Sequence, residues 1–251
     1  MKFILNLFKK HKPDLPENIY SVYQPIVDIA TWDVIGHEAF ARSEKETPVE
    51  MFQRSYEKGT VIPFDFRCLA AAIKILPAFP EGQYLFLNIE PLTLERAFEE
   101  GKEGDSFLRH IKTYSGKVVF EVTEGVKKSD FAFIKKGVDF IRTLGYRFAL
   151  DDLSEIGAQT LRLASLKPDF FKVDMHLIQG ISNNYMNQQI VREMAHLGRM
   201  NGAEMIVEGI ESKEDCDFMS NMGIRYGQGF YFARPAREPV TFLQPPKNTQ
   251  T

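Results

Sequence analysis

The stretch Phe148-Ala149-Leu150-Asp151-Asp152-Leu153-Ser154-Glu155-Ile156-Gly157, continued by Phe170-Phe171-Lys172-Val173-Asp174, decides the fold. An apolar run from Tyr146 to Leu150 ends in two adjacent carboxylates. A helical segment, Ala158 to Leu166, follows and is stopped by Lys167-Pro168-Asp169. A second apolar run then sets Lys172 and Asp174 two residues apart, on one face of a strand. Strand, acid pair, helix and charged strand form a βαβ unit whose charges collect at the C-terminal edge of the strands, the functional edge of an α/β barrel. Read alone, Asp151 and Asp152 would only cap the next helix. The other strands decide between these readings.

Working outward, strand and helix signals alternate along the chain. Tyr20 to Ile29 and Val34 to Ala41 are strands separated by Ala30-Thr-Trp-Asp33, too short for a crossover helix, so the first two strands form an antiparallel hairpin. Helices are expected at Pro48–Lys58, Phe64–Leu76, Thr93–Glu100, Ser106–Tyr114, Asp130–Leu144 and Met186–Met200, with a last one from Ser212 to Met222. The remaining strands are Tyr84–Ile89, Lys117–Thr123, the two of the central unit, Ala203–Val207 and an eighth running to Phe232. The expected fold is α/β, a modified TIM-type (β/α)8 barrel over residues 20–240, and 251 residues suit one such domain.

The ends and the composition narrow the function. Residues 1–19 form an apolar and then basic extension; contact of residues 1–12 with a membrane surface is the less economical reading beside a short packed helix or a frayed end. Residues 241–251 read as a disordered tail. A net charge of -3 gives no pull toward polymeric nucleic acid or anionic membrane. Cys68 and Cys216 fit neither a zinc pattern nor a disulfide framework, which points to buried thiols in the cytoplasm.

Each strand end carries a polar group. In order these are Glu38 with Arg42, Asn88, Glu121 with Glu124, Asp151 and Asp152, Lys172 and Asp174, Glu208 with Glu211, and Gln228. Two carboxylates about 4.5 Å apart repel by roughly 3–4 kcal/mol at an effective dielectric near 20. Glu38, Glu121, Asp151, Asp152 and Glu208 in one mouth therefore take up protons or bind cations, because Arg42 and Lys172 do not balance them. His37 alternates to the opposite face from Glu38. Oxygen ligands with one amide favour Mg²⁺ or Mn²⁺, and shared carboxylates suit a two-metal site for phosphoester displacement.

The ordered segments Gln24-Pro-Ile-Val27, Glu38-Ala-Phe-Ala-Arg42, Phe120-Glu-Val-Thr-Glu124, Ala149-Leu-Asp-Asp152, Lys172-Val-Asp174, Val207-Glu-Gly-Ile-Glu211 and Gly227-Gln-Gly-Phe-Tyr231 resemble the motif set of the EAL family of cyclic di-GMP phosphodiesterases. The resemblance runs from about Tyr20 to Pro235. It implies hydrolysis of cyclic di-GMP to linear pGpG with Mg²⁺ or Mn²⁺, in a chain that works as a homodimer. By the same resemblance Glu38, Asn88, Glu121, Asp151 and Asp152 are metal ligands, joined by Glu208 at the second metal. Lys172 positions or deprotonates water, and Glu208 and Glu211 complete the catalytic set. Gln24, Arg42, Asp174 and Gln228 face the substrate, and Glu124 braces the loop after the paired aspartates. That loop departs from the family's usual Phe-Gly-Thr-Gly, reading Leu153-Ser154-Glu155-Ile156, and Glu90 stands where Ser is common. The departure keeps open a second reading, a cyclic di-GMP receptor with weak or no turnover.

Overall fold

The computed structural model describes residues 18–123, 131–154 and 165–245. Eight short runs rich in β-branched and aromatic residues form strands: β1 (Tyr20–Asp28), β2 (Val34–Arg42), β3 (Tyr84–Asn88), β4 (Val118–Thr123), β5 (Arg147–Leu153), β6 (Phe170–Val173), β7 (Glu204–Val207) and β8 (Tyr226–Gly227). They close into a barrel in sequence order. β1 is antiparallel to both of its neighbours, β2 and β8, while the pairs from β2–β3 to β7–β8 are parallel. The expected hairpin and barrel are both present. Asp28 ties the hairpin turn to the far side of the closure: its Oδ1 accepts from Ala30 N at 3.1 Å, and its Oδ2 accepts from Arg225 Nε at 2.9 Å.

Around the barrel run α1 (Pro48–Glu57), α2 (Val61–Ala72), α3 (Pro91–Ala97), α4 (Glu103–His110), α5 (Phe131–Thr143), α6 (Met175–Ile178), α7 (Tyr185–Asn201) and α8 (Lys213–Asn221). Their ends follow local chemistry. Thr47 and Glu50 make a reciprocal capping box on α1 with Pro48 in the first turn. Ser212 accepts the Asp215 N–H at the start of α8, as its position predicts. Among the described residues, no helix is long and apolar enough to cross a membrane.

Several expected boundaries change. The helix expected over Phe64–Leu76 starts at Val61 and tightens into a 3-10 turn over Ile73–Ala78, which contains Pro77. The one expected over Ser106–Tyr114 divides into α4 and a 3-10 turn at Lys112–Tyr114. The eighth strand stops at Gly227 rather than reaching Phe232. There the chain folds onto the loop after β7, and a Cβ on Gly229 would lie 2.0 Å from the Ile210 carbonyl oxygen. Of the expected helix Ala158–Leu166 only its last two residues, Ser165 and Leu166, are described, and they are helical; its other residues, Glu124, residues 155–157 of the divergent loop and most of both termini lie outside the described residues.

Strand alternation sorts the side chains into two shells. Leu85, Leu87, Phe120, Phe148, Phe171 and Val207 face outward and join a large core with the helices, where Val138, Ile141, Met194 and Met219 meet them. His37 is fully buried on that outer side, edge-on to Phe79 at 5.8 Å, and burial pushes its pKa down to about 4, so it is neutral. The inward shell is a separate cluster of Ile26, Phe86, Val119, Ala149, Phe170, Ile206 and Tyr226, from seven of the eight strands. β2 contributes Gly36 at the matching position, where a Cβ would lie 2.5 Å from the Tyr84 carbonyl and 3.1 Å from the Phe86 ring. This cluster is the apolar floor of the barrel.

β5 breaks the alternation once. Its partner register steps from Leu150↔Phe171 to Leu153↔Val173, so β5 holds one extra residue across that step, and Asp152 adopts φ 58°. A bulge of this kind frees two adjacent side chains from pointing to opposite faces. It also explains why the strand runs past Leu150, where the apolar run alone predicted its end. Asp and Asn tolerate the left-handed region, whereas a β-branched residue does not. Asp152→Val should therefore be about 1–2 kcal/mol less stable than Asp152→Asn in urea unfolding, a comparison in which both variants lose the same charge. Equal stability of the two would mean that the bulge imposes no backbone constraint at Asp152.

Candidate active site

Two residues beyond each floor residue, on the same inward face, stands a polar group. Phe86 leads to Asn88, Val119 to Glu121, Ala149 to Asp151, Phe170 to Lys172, Ile206 to Glu208 and Tyr226 to Gln228; Gly36 leads to Glu38. On the reversed strand β1 the order inverts, so Gln24 precedes Ile26 and pairs with Glu38. The barrel geometry thus lifts one ring of polar side chains directly above the apolar floor.

Lys172 is the hub of this ring. Its side chain is 0% exposed, and its Nζ lies 2.6 Å from Glu38 Oε2, 2.5 Å from Glu208 Oε1, 3.4 Å from Asp151 Oδ1 and 3.5 Å from Glu121 Oε1. Burial alone would push the ammonium down, but Asp151, Glu121, Glu208 and Glu38 together hold it well above the usual lysine range. Glu38 is the most heavily engaged carboxylate. Its Oε1 accepts from Asn88 Nδ2 at 2.7 Å, and its Oε2 accepts from Lys172 and from Gln228 Nε2 at 3.0 Å.

The remaining carboxylates are left short of donors. Both oxygens of Glu121 and the Oδ1 of Asp151 are buried and accept no hydrogen bond among the described residues. Burial pushes Glu121 well above its ordinary range, Asp151 up to about 6 and Glu208 up to about 8; Lys172 opposes each shift and the neighbouring acids add to it. Oxygen atoms from Glu38, Glu121 and Asp151 lie within 4.8 Å of one another, as do atoms from Asp151, Asp152 and Glu208. Two carboxylate groups that share Asp151, with orphaned buried oxygens, fit hard divalent cations.

A cavity of about 540 Å³ opens above this ring, a volume suited to a small-molecule ligand. Gln24, Glu38, Arg42, Asn88, Asp151, Asp152, Glu208, Glu211 and Gln228 all line it. Glu211 is exposed at the rim. The Arg42 guanidinium donates to the Ala41 carbonyl at 2.9 Å and sits 5.4 Å from the Phe40 ring centroid. Asp174 stands apart from the ring: it caps α6, its Oδ1 accepting from His176 N at 2.7 Å, and it does not line the cavity.

The same wall carries an acidic group that strand ends could not reveal. Asp65, on α2, is 1% exposed, accepts from Glu90 N at 3.0 Å, and is pushed up to about 8 chiefly by burial. Glu90 in turn accepts the Tyr56 hydroxyl. The sequence signal was a lone acid inside the apolar helix Val61-Ile-Pro-Phe-Asp-Phe.

These shifts set a pH dependence. Asp151, Glu208 and Asp65 keep protons in the folded chain at pH values where the unfolded carboxyls, at 3.8 to 4.5, have lost them. Their contribution to stability is therefore full below about pH 4 and is lost as pH rises through about 6 and then about 8. In EDTA, urea midpoints should fall from pH 5 to pH 8.5. Mn²⁺ at a hundred times its Kd should restore about 2.7 kcal/mol at the upper pH, leaving the Asp65 share of the slope. A flat profile in EDTA would sink this account of the ring.

Comparison with known proteins agrees with this geometry. A family model described as EAL domain matches residues 15–235. A probable cyclic di-GMP phosphodiesterase, PdeA of Escherichia coli K12, is 27% identical over 68% of this chain and 24% of its own length. The EAL-domain protein YkuI of Bacillus subtilis is 23% identical over 91% of this chain and 57% of its own. The chain thus spans about a quarter of one relative and just over half of the other. Among solved structures, a stand-alone EAL protein of Vibrio cholerae O395 in its c-di-GMP-bound form matches with a TM-score of 0.80 and 27% identity, covering 93% of this chain and 98% of that one. Klebsiella pneumoniae BlrP1, in a manganese and cyclic di-GMP complex, matches with a TM-score of 0.77 and 28% identity, over 90% of this chain and 57% of that one. With the barrel, its reversed first strand and the family match across residues 15–235, the chain belongs to the EAL domain family.

Proposed function

We propose that this chain hydrolyses cyclic di-GMP to linear pGpG in a reaction dependent on Mg²⁺ or Mn²⁺. The observation that carries the reading is the pair of carboxylate groups sharing Asp151 around a buried lysine, at the base of a cavity in an α/β barrel. Two of the similar solved structures hold cyclic di-GMP, one of them with manganese. Glu38, Asn88, Glu121 and Asp151 would hold one cation, and Asp151, Asp152 and Glu208 the second. Such cations polarise the phosphate and lower the pKa of an attacking water.

The protein's own groups do the rest. Lys172, kept protonated by four carboxylates, fits positioning the water better than removing its proton. Arg42, which among the described residues spends one donor on the Ala41 carbonyl, offers its other N–H groups at the cavity wall for a phosphate oxygen. Glu211 at the rim orients solvent beside them. Asp174, as a helix cap, supports the strand end that carries Lys172 rather than reaching the ligand. Turnover is favoured over a binding-only receptor because the four acids around Lys172 converge on it.

Purified protein with Mn²⁺ should convert cyclic di-GMP to pGpG, read by chromatography of the nucleotide products. Glu121→Ala should abolish conversion by removing a ligand. Lys172→Met should lower kcat by about 10²–10⁴-fold while dinucleotide binding persists. Conversion that survives EDTA, or an unchanged rate in Glu121→Ala, would overturn the reading.

A further inference from the structure

Gln24 and Gln228 line the cavity, yet three of their four amide atoms are bonded within the protein; the Gln228 oxygen accepts no bond among the described residues. Gln24 is 6% exposed and Gln228 3% exposed. Gln24 Nε2 donates to the Ala233 carbonyl at 3.1 Å, and its Oε1 accepts from Gln228 Nε2 at 3.1 Å. The same Gln228 nitrogen spends its second hydrogen on Glu38 Oε2 at 3.0 Å. The chain of bonds has an obligate acceptor at each end, a backbone carbonyl and a carboxylate. Its direction is therefore fixed: flipping either amide would set oxygen against oxygen. The Ala233 end is itself held. Ala233 N donates to Gly229 O at 3.3 Å, and Ala236 bridges β1, with Tyr23 N donating to Ala236 O at 2.7 Å and Ala236 N donating to Tyr23 O at 3.0 Å.

We propose that Gln24 and Gln228 are positioning residues, which transmit the placement of the C-terminal return segment, residues 233–236, to the cation-binding oxygen of Glu38. An oxygen of a carboxylate has two lone-pair directions. Among the described residues, Glu38 Oε2 receives two donors, Lys172 and Gln228, and is filled, while Oε1 receives one, from Asn88, and has a second direction left for a cation. The amide chain thus selects which oxygen meets the cation and fixes the carboxylate plane. Gln24 acts through other residues: its nitrogen donates to the Ala233 carbonyl and its oxygen accepts from Gln228, which in turn holds Glu38. The inference rests on the cation site of the proposed function and adds to it a reason why residues beyond β8 bear on that site.

The test is a Mn²⁺ titration of the purified chain without substrate, following free Mn²⁺ by electron paramagnetic resonance. Gln24→Met keeps the side-chain length and removes the amide; it should weaken Mn²⁺ about tenfold, as loss of a group that orients a metal ligand does. Gln228→Met should do the same, and the double variant should be no weaker than the worse single one, because the two act in series. Ala236→Pro, which deletes the N–H given to Tyr23, should weaken Mn²⁺ in the wild-type background and have no further effect beside Gln24→Met. In hydrolysis, the loss should appear in the Mn²⁺ concentration needed, with KM for cyclic di-GMP unchanged. A wild-type Mn²⁺ titration for Gln24→Met with a raised KM would overturn the proposal and make Gln24 a substrate contact. Multiplying losses in the double variant would equally overturn the series. A chain that binds Mn²⁺ but does not hydrolyse cyclic di-GMP would overturn the proposed reaction and leave this inference standing, because the titration needs no turnover.

Discussion

The structure depends on keeping several charges stacked on an apolar floor inside a closed sheet. Lys172 has no exposed surface, and burying an unpaired ammonium would cost several kcal/mol. Four carboxylates from β2, β4, β5 and the end of β7 surround it. One cation does not balance four ionised acids, so the folded chain must hold protons or metal cations there. The floor below makes the demand sharper. Phe86, Phe170 and Tyr226 fill the barrel and keep water from screening the ring from beneath.

Much of this was readable from spacing alone. Once Glu38, Glu121, Asp151 and Lys172 are placed at strand ends, period-two alternation puts them on one face, and His37 goes to the other. What spacing could not give was the behaviour of Asp152. Two adjacent residues on a regular strand face opposite ways, and only the extra residue in β5 brings both near the rim. A bulge has no reliable sequence signature when its left-handed residue is Asp rather than Gly. Asp65 escaped for a different reason: it reaches the cavity from α2, and helix periodicity says which face is buried but not what that face meets across the barrel mouth. The end of β8 was misjudged because Gly227-Gln-Gly-Phe reads equally as strand or turn, and the decision lies in contact with Ile210, distant in sequence.

The departure from family pattern after Asp152 has a physical setting. Asp152 already holds φ 58° inside the bulge. Leu153, the first of the unusual residues, pairs with Val173 where regular pairing to β6 resumes, and Ser154 after it is exposed. Asp151 and Asp152 are therefore held by the strand and its bulge as well as by whatever follows them. A loop of different composition can attach to such a strand end without removing either carboxylate from its group.

The reversed first strand carries a consequence for how the domain is wired. In a barrel of eight parallel strands the chain enters at the sealed bottom, far from the chemistry. Here Tyr20 pairs with Arg42, so the polypeptide enters at the rim of the cavity, and the return segment leaves along the same strand, Ala236 beside Tyr23. The described chain thus both enters and returns beside the mouth of the cavity. A tug or a twist applied through either segment reaches the mouth within a few residues, without having to travel through the body of the barrel.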